Sequence, residues 1–149
     1  MKVVESSINL DLPPQEVLDV FIRQEHLKAW WGVDRSLIEL KRGGLYSLVW
    51  QNRESCVEYV STGVIEEYLP ACQLKIRNLV YINPQRPILG PMELLVMTTP
   101  NDDRTTQLTV IQSGYQQGPD WDWFYEAVLQ AWPDVLIQVK KYLQAISVH

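Results

Sequence analysis

The chain has 149 residues, 46% of them hydrophobic and 21% charged, which fits a single domain over residues 1–149 and is too short for two. The formal net charge is -5 and the 13 lysines and arginines are scattered, which argues against nucleic acid as a partner. No apolar run reaches the roughly 18 residues of a membrane-spanning helix, and the N-terminus lacks the apolar segment of a secretory signal, so we expect a cytoplasmic protein without a membrane partner.

The first predicted elements are a strand and a helical pair. Residues 3–11 alternate in polarity as a strand does, and residues 14–31 switch to helical spacing. Pro13 and Pro14 stop the strand and suit the first turn of a helix, because proline presets the helical φ and the missing donor is not needed there. A short strand followed by two short helices is therefore expected.

A run of strands follows the helical pair. Residues 36–40 precede two glycines that permit a tight reversal, and the next strand carries Tyr46, Leu48 and Trp50 on one face because its side chains alternate. Turn-forming residues separate the later strands, and residues 83–91 form a long, stiff hairpin connection. The later strands are predicted over residues 57–68, 73–81, 92–99 and 104–113.

The last predicted element is one long helix over residues 119–146. Its apolar residues recur every three or four positions and so form a single stripe. Pro133 interrupts the pattern without changing its phase, which favours one kinked helix, with a break at Ala131 or Trp132 as the alternative. The stripe consists of Trp121, Phe124, Val128, Trp132, Val135, Val139, Leu143 and Ile146.

The order of elements is typical of an α+β domain whose antiparallel sheet lies against the closing helix. Short patterns reinforce it: the helix start Pro13-Pro14 with Val17, HLKAWW at 26–31, LKRGGLYSL at 40–48, GVIEEYLPACQL at 63–74, TTQLTVIQSGY at 105–115 and AWPDVLIQVKKYL at 131–143. With these patterns the chain resembles the START-like (SRPBCC) superfamily and, within it, the family named after the activator of heat-shock protein 90 ATPase. The resemblance implies a helix-grip fold, in which a curved antiparallel sheet wraps a long C-terminal helix and leaves an apolar cavity between them.

The inward-facing residues of such a fold would line this cavity. Aromatic and branched walls suit an apolar ligand, although the same residues could also pack on one another as a closed core. A dry void of about 300 Å³ would cost about 7 kcal/mol, against a typical total stability of about 5 to 15 kcal/mol, so a persistent cavity must hold ligand or water. The predicted lining residues are Trp31, Tyr46, Leu48, Trp50, Ile65, Leu74, Ile76, Arg77, Leu108, Val110, Gln112, Trp121, Phe124, Val128 and Trp132.

The sequence contains no recognisable catalytic or metal-binding constellation. The only cysteines and histidines, Cys56, Cys72, His26 and His149, match neither a zinc site nor a redox pair in their spacing. Ser113 lacks the glycine two residues before it that a nucleophile elbow requires. We therefore expect reduced thiols, no metal and no cofactor.

Polar residues on the predicted strands have two interpretations. Arg77 or Glu93 turned inward would be a recognition group, because a buried charge is costly unless paired, whereas an exposed strand face is the simpler interpretation. Gln112 stands where the family often has a histidine or another polar residue; its amide cannot act as an acid or base but can hydrogen-bond a ligand. Asp120 and Asp122 suit helix capping better than metal ligation.

Three functions follow as hypotheses. The first is non-catalytic binding of a small hydrophobic molecule, indicated by the aromatic interior and the missing catalytic groups. The second is a co-chaperone-like protein-interaction module, which rests on the family name alone. The third is a polyketide cyclase-like enzyme, whose turnover would need Arg77 or Gln112. Trp123 and Tyr125 cannot both face inward with the stripe, so a homodimer surface is a further hypothesis.

Overall fold

The computed structural model describes residues 2–147, and Met1, Val148 and His149 lie outside this range. The expectation of no zinc site, where it concerns His149, therefore lies outside the described residues. Every predicted element is present. One strand starts earlier than predicted: the sixth strand begins at Leu89, which is buried and pairs with Tyr81, so the loop before it is shorter. The elements are β1 Val3–Leu10, α1 Pro14–Asp19, α2 Gln24–Trp31, β2 Arg35–Ile38, β3 Leu45–Asn52, β4 Val57–Leu69, β5 Gln73–Ile82, β6 Leu89–Pro100, β7 Thr106–Ser113 and α3 Pro119–Ser147.

The seven strands form one antiparallel sheet in the order β1-β7-β6-β5-β4-β3-β2. β1 pairs with β7, so the first strand of the chain lies beside the last, and the strands from β2 to β7 each pair with the next in sequence. Helix α1 lies against β6 and β7, while α3 lies against β1 and α2. The predicted α+β helix-grip architecture is confirmed.

The sheet is irregular where β4 meets β5. The register shifts between Thr62 and Val64, and Asn78 on the partner strand has a φ of 52°, as expected of a β-bulge. Gly63 sits at this point, and a Cβ there would lie 2.7 Å from Cγ2 of Ile76. Glycine therefore permits a close approach of the two long strands, and a bulge of this kind bends the strand locally.

Helix α3 runs unbroken through Pro133, so the alternative of a break at this point is wrong. Pro133 has no backbone N–H, so the carbonyl of Leu129 loses its hydrogen-bond donor. Because Pro133 is exposed, this carbonyl lies on the solvent side of the helix, where water can bond to it. The predicted stripe needs one correction. Leu136 is buried and Ile146 is exposed, so the buried face ends at Leu143. No helix within residues 2–147 is long and apolar enough to span a membrane.

Candidate functional site: a cavity between the sheet and the C-terminal helix

A cavity of about 640 Å³ lies between the bent sheet and the first half of α3, and it is open to solvent. Its volume falls within the range of about 300–1,000 Å³ that is typical of small-molecule sites. Ala127 and Ala131 face it from the helix and are exposed, because their methyl groups fill little of the space. The small side chains on this part of α3 are one reason that the cavity exists.

The sheet contributes a regular set of side chains to the wall. Alternate residues of β3 point to one face, and the register places Leu48 opposite Ser61 and Trp50 opposite Tyr59. On the next pair of strands, Ser61 lies opposite Tyr81. Rows of side chains that cross three strands therefore form the floor of the cavity.

Two aromatic side chains of the floor are tied to the helical pair by hydrogen bonds. The Tyr46 hydroxyl donates to the backbone oxygen of Phe21 at 2.6 Å, and Trp50 Nε1 donates to the backbone oxygen of Trp31 at 3.1 Å. Burial raises the pKa of the Tyr46 phenol far above its ordinary value, so it stays protonated and keeps donating. These bonds fix the orientation of both rings.

Gln112 joins the sheet to α3 at the bottom of the cavity. It is 6% exposed, its Oε1 accepts a hydrogen bond from Trp132 Nε1 at 2.9 Å, and its Nε2 lies 3.6 Å from Sδ of Met92. The amide is therefore used mainly to hold Trp132 in place, and one N–H remains beyond these two contacts.

Aromatic contacts link the helices to the sheet around the cavity. The Trp31 ring lies 5.2 Å from Trp50 and 6.0 Å from Trp132, measured between ring centroids. Phe124 stacks on Tyr81 with centroids 5.0 Å apart and an interplanar angle of 23°. Stacked and edge-on pairs of this kind stabilise the arrangement beyond simple burial. The wall is largely preformed.

At the start of α3, the β5–β6 loop reaches over the wall. The Arg86 guanidinium lies 3.7 Å from the centre of the Trp123 ring, and its Nη1 lies 3.7 Å from Oδ1 of Asp120. Trp123 lines the cavity. A cation–π contact and an ion pair therefore fasten the loop to this part of the wall.

The structure places about half of the predicted lining residues at the wall. These residues are Trp31, Tyr46, Leu48, Trp50, Gln112, Phe124, Val128 and Trp132. Their role in ligand binding stays a prediction.

Five other predicted lining residues belong to the closed core and not to the wall. Each of them is at most 1% exposed and belongs to the hydrophobic core cluster. An inward-facing position in the sequence pattern does not distinguish a cavity wall from a filled core. The residues are Ile65, Leu74, Ile76, Leu108 and Val110.

Two further predicted residues also lie away from the cavity. Arg77 directly follows the buried Ile76, so its side chain projects from the opposite face of the strand. Trp121 packs edge-on against Tyr115, with ring centroids 6.3 Å apart, outside the wall. Glu93 is exposed, as the simpler interpretation of the strand residues had it.

Much of the wall consists of residues that the sequence pattern does not predict. Tyr59, Ser61 and Tyr81 lie on β4 and β5, and Asn83 directly follows β5. The alternation of these strands is recognisable in the sequence, but which face points to the cavity depends on the register across the bulge. Phe21 follows a helix end, and the two alanines carry no hydrophobic signal of their own. The remaining wall residues that were not predicted are Leu79, Met92, Leu94, Trp123 and Val135.

Residues outside the cavity do not form a second chemical site. Within residues 2–147, no three His, Cys, Asp or Glu side chains converge as metal ligands would. Cys56 and Cys72 are exposed and unpaired. His26 Nδ1 lies 2.6 Å from the Tyr142 hydroxyl, a bond that links α2 to α3.

The curved sheet, the closing helix and the cavity between them define a START-like (SRPBCC) helix-grip protein. The sequence model of the family described as activator of Hsp90 ATPase homolog 1-like protein matches residues 11–144, so the chain belongs to this family, and the predicted resemblance is confirmed. A comparison with curated protein sequences gives no match.

Solved structures share the fold at low sequence identity. Protein MLL2253 from Mesorhizobium loti superposes with a TM-score of 0.75 at 16% identity, covering 97% of this chain and 98% of that one. Protein SA2116 from Staphylococcus aureus, described as of unknown function, gives 0.74 at 14% identity, with 99% and 98% covered. DynU16, described as belonging to the dynemicin biosynthetic locus, gives 0.72 at 14% identity and covers 97% of this chain but 48% of its own.

Proposed function

We propose that the protein binds a small hydrophobic molecule, without transforming it, in the cavity between the sheet and α3. The observation that carries this function is an open space of about 640 Å³ with mainly aromatic and aliphatic walls. Water in contact with such walls is released when an apolar ligand enters, which favours binding by about 25 cal/mol per Å² of apolar surface buried. The hydrogen bonds that fix the wall reduce the ordering that binding would otherwise require.

Binding without catalysis is supported by the chemistry of the wall. The described residues that line the cavity include no carboxylate, imidazole, thiol or amine that could transfer a proton near neutral pH or attack a substrate. The cyclase-like hypothesis names Arg77 or Gln112: Arg77 lies on the other face of the sheet, and the amide of Gln112, which lines the cavity, holds Trp132. The likeness to DynU16 concerns the fold, and a fold alone does not carry an activity.

Filling the cavity tests this function. Nile red, a neutral polycyclic dye, should bind the wild-type protein saturably, with enhanced fluorescence. Ala131→Phe places a ring in the open space and should weaken binding at least about ten-fold. Ala145→Phe, the same change at an exposed position of α3 outside the wall, should leave binding unchanged. Equal affinity in the two variants, or the absence of saturable binding by the wild type, would overturn the function.

A second candidate function is contact with a protein partner, which one surface feature favours. Leu37 pairs with Ser47, so Leu37 and Leu45 are diagonal neighbours on one face of the β2–β3 edge, and they are 62% and 43% exposed. The family description names activators of the Hsp90 ATPase. A pull-down should recover a heat-shock ATPase with the wild type and lose it with Leu37→Ser combined with Leu45→Ser; no recovery by the wild type removes this candidate.

For either function we propose a cytoplasmic location of the protein, because two exposed, unpaired cysteines suit a reducing compartment. A homodimer remains a prediction. The two aromatic side chains that suggested a dimer surface have contacts within the same chain: Trp123 lines the cavity, and Tyr125 packs edge-on against Tyr115. Analytical ultracentrifugation would measure the oligomeric state directly.

A further inference from the structure

The polar side chains that face the cavity from β4 and β5 are gathered at one place. Tyr59 and Ser61 are two residues apart on β4 and so share its inner face. Ser61 pairs directly with Tyr81, and Asn83 follows Tyr81 by two residues on the same side. These four residues are called the polar corner. Three hydroxyls and one amide therefore meet at this end of an otherwise apolar wall.

The other polar groups of the wall are already used inside the protein. The Tyr46 hydroxyl and Trp50 Nε1 donate to backbone oxygens, and Trp132 Nε1 donates to Gln112. The hydroxyls of Tyr59 and Ser61 take no part in these bonds. A hydroxyl can both donate and accept, so these two groups are available to a bound molecule.

Within the polar corner, Asn83 and Tyr81 are partly committed to each other. Asn83 Oδ1 accepts a hydrogen bond from the backbone N–H of Gln85 at 2.9 Å. Burial and the neighbouring Tyr59 raise the pKa of the Tyr81 phenol, and its hydrogen bond with Asn83 opposes this rise. The phenol stays neutral at physiological pH. The polar corner thus presents O–H donors without a negative charge.

Charge is missing from the whole wall. None of the described residues that line the cavity is an aspartate, glutamate, lysine, arginine or histidine. The nearby cation, Arg86, lies on the Trp123 ring and is paired with Asp120. A charged ligand would lose its hydration without gaining a counter-charge, which is strongly unfavourable.

Flat apolar surfaces adjoin the polar corner. Trp50 lies opposite Tyr59 on the sheet and is the first of three neighbouring indoles, with Trp31 and Trp132 behind it. Phe124 covers the Tyr81 ring from the helix side. A planar or ring-containing body can lie against these surfaces while its polar end reaches the hydroxyls.

We infer that the cavity selects an uncharged, mainly apolar, ring-containing molecule, and that Tyr59 and Ser61 bind one oxygen of this molecule by donating hydrogen bonds. This inference rests on the proposed function and adds the chemical class of the ligand and its orientation in the cavity. The oxygen is a carbonyl or a similar acceptor, because one such oxygen has two lone pairs and can accept from both hydroxyls at once.

Three probes that share one ring system test the selection. Methyl naphthyl ketone carries the acceptor oxygen on its acetyl group. Ethylnaphthalene has a methylene in place of the carbonyl and is apolar, and naphthoate has a charged carboxylate in place of the acetyl group. Isothermal titration calorimetry at neutral pH should show the ketone binding about five-fold more tightly than ethylnaphthalene. Naphthoate should bind at least about a hundred-fold more weakly than the ketone.

Matched variants locate the contact. Tyr59→Phe combined with Ser61→Ala removes two hydroxyls and keeps the ring and the backbone, so it should abolish the preference for the ketone and leave ethylnaphthalene binding within about two-fold of the wild type. Tyr125→Phe combined with Ser55→Ala makes the same chemical changes outside the wall and should change neither affinity.

The outcomes separate the inference from the function on which it rests. Equal binding of the ketone and ethylnaphthalene by the wild type, naphthoate binding as tightly as the ketone, or a preference that survives loss of both hydroxyls overturns the inference and leaves hydrophobic binding in place. Failure of all three probes to bind overturns the proposed function and the inference together.

Discussion

The two halves of α3 face the same sheet, but the first half borders an open cavity and the second half packs into the closed core. In the second half, Leu136, Val139 and Leu143 are 1%, 0% and 3% exposed and close the core. In the first half, Ala127 and Ala131 face an open cavity. The backbone is one continuous helix, so the difference lies in side-chain size at inward positions. Small residues leave space that large aliphatic residues fill elsewhere.

A second difference explains why the large aromatic residues of the first half do not collapse into the space. Trp132 is held by the hydrogen bond from its indole N–H to Gln112, and Phe124 is stacked on Tyr81. Each ring already has a partner on the sheet. Moving either ring into the cavity would break a buried hydrogen bond or a stacked contact. The cavity is therefore maintained by specific contacts within its wall.

The largest effect on stability is expected in the closed half. Leu136→Ala should lower the free energy of unfolding by about 3 kcal/mol, because it leaves a cavity in a packed region. Val128→Ala, at the open wall, should cost less than about 1 kcal/mol, since space already adjoins it. Leu129→Ala on the exposed face is the control. Denaturant unfolding measures all three, and equal losses at 136 and 128 would erase the distinction between the two halves.

The contact between Trp132 and Gln112 should have the next largest effect. Trp132→Phe leaves Oε1 of Gln112 buried without a donor, so we expect a loss of about 2 kcal/mol in unfolding free energy. Replacing Gln112 with leucine in the same chain removes the unpaired group and should restore part of the loss. A double-mutant cycle measures this coupling. Strictly additive losses would show that the bond does not hold the indole.

Tyr46 provides a pH test of the buried part of the wall. Burial raises the pKa of the Tyr46 phenol above its ordinary value of 10.0, so the unfolded chain loses this proton at a lower pH than the folded chain does. The stability that this group contributes is therefore complete below pH 10.0 and falls as the pH rises above it. Tyr46→Phe should lose about 1 kcal/mol at neutral pH with its hydrogen bond to Phe21. It should then show a shallower alkaline decline than the wild type. Parallel declines in denaturant titrations would contradict the assignment.

The fold was predictable because its signals are local. Alternation defined the strands, Pro13 and Pro14 marked the first helix, and the spacing around Pro133 predicted one continuous helix. The start of β6 at Leu89 was missed, because the pairing with Tyr81 is a tertiary contact that turn-forming neighbours conceal.

The cavity wall was predictable only in part, because facing inward is a local property and facing a void is not. Ile65 and Tyr46 both point inward, yet Ile65 is enclosed by the core while Tyr46 reaches the wall. The difference depends on what lies across from each residue, and Ala131 gives no sign of this in the sequence. The sequence itself argues against Arg77 as a lining residue beside Ile76, since consecutive strand residues point to opposite faces.

The smallest expected effect concerns the edge of the open half, where Arg86 covers Trp123. Arg86→Lys keeps the charge near Asp120 but loses the flat guanidinium, so stability should fall by less than about 1 kcal/mol. Release of Nile red should become about three-fold faster in stopped-flow experiments, because the loop holds the wall less firmly. Arg53→Lys makes the same change in an exposed ion pair away from the cavity. Equal release rates for the two variants would mean that the open half of α3 needs no support from this loop.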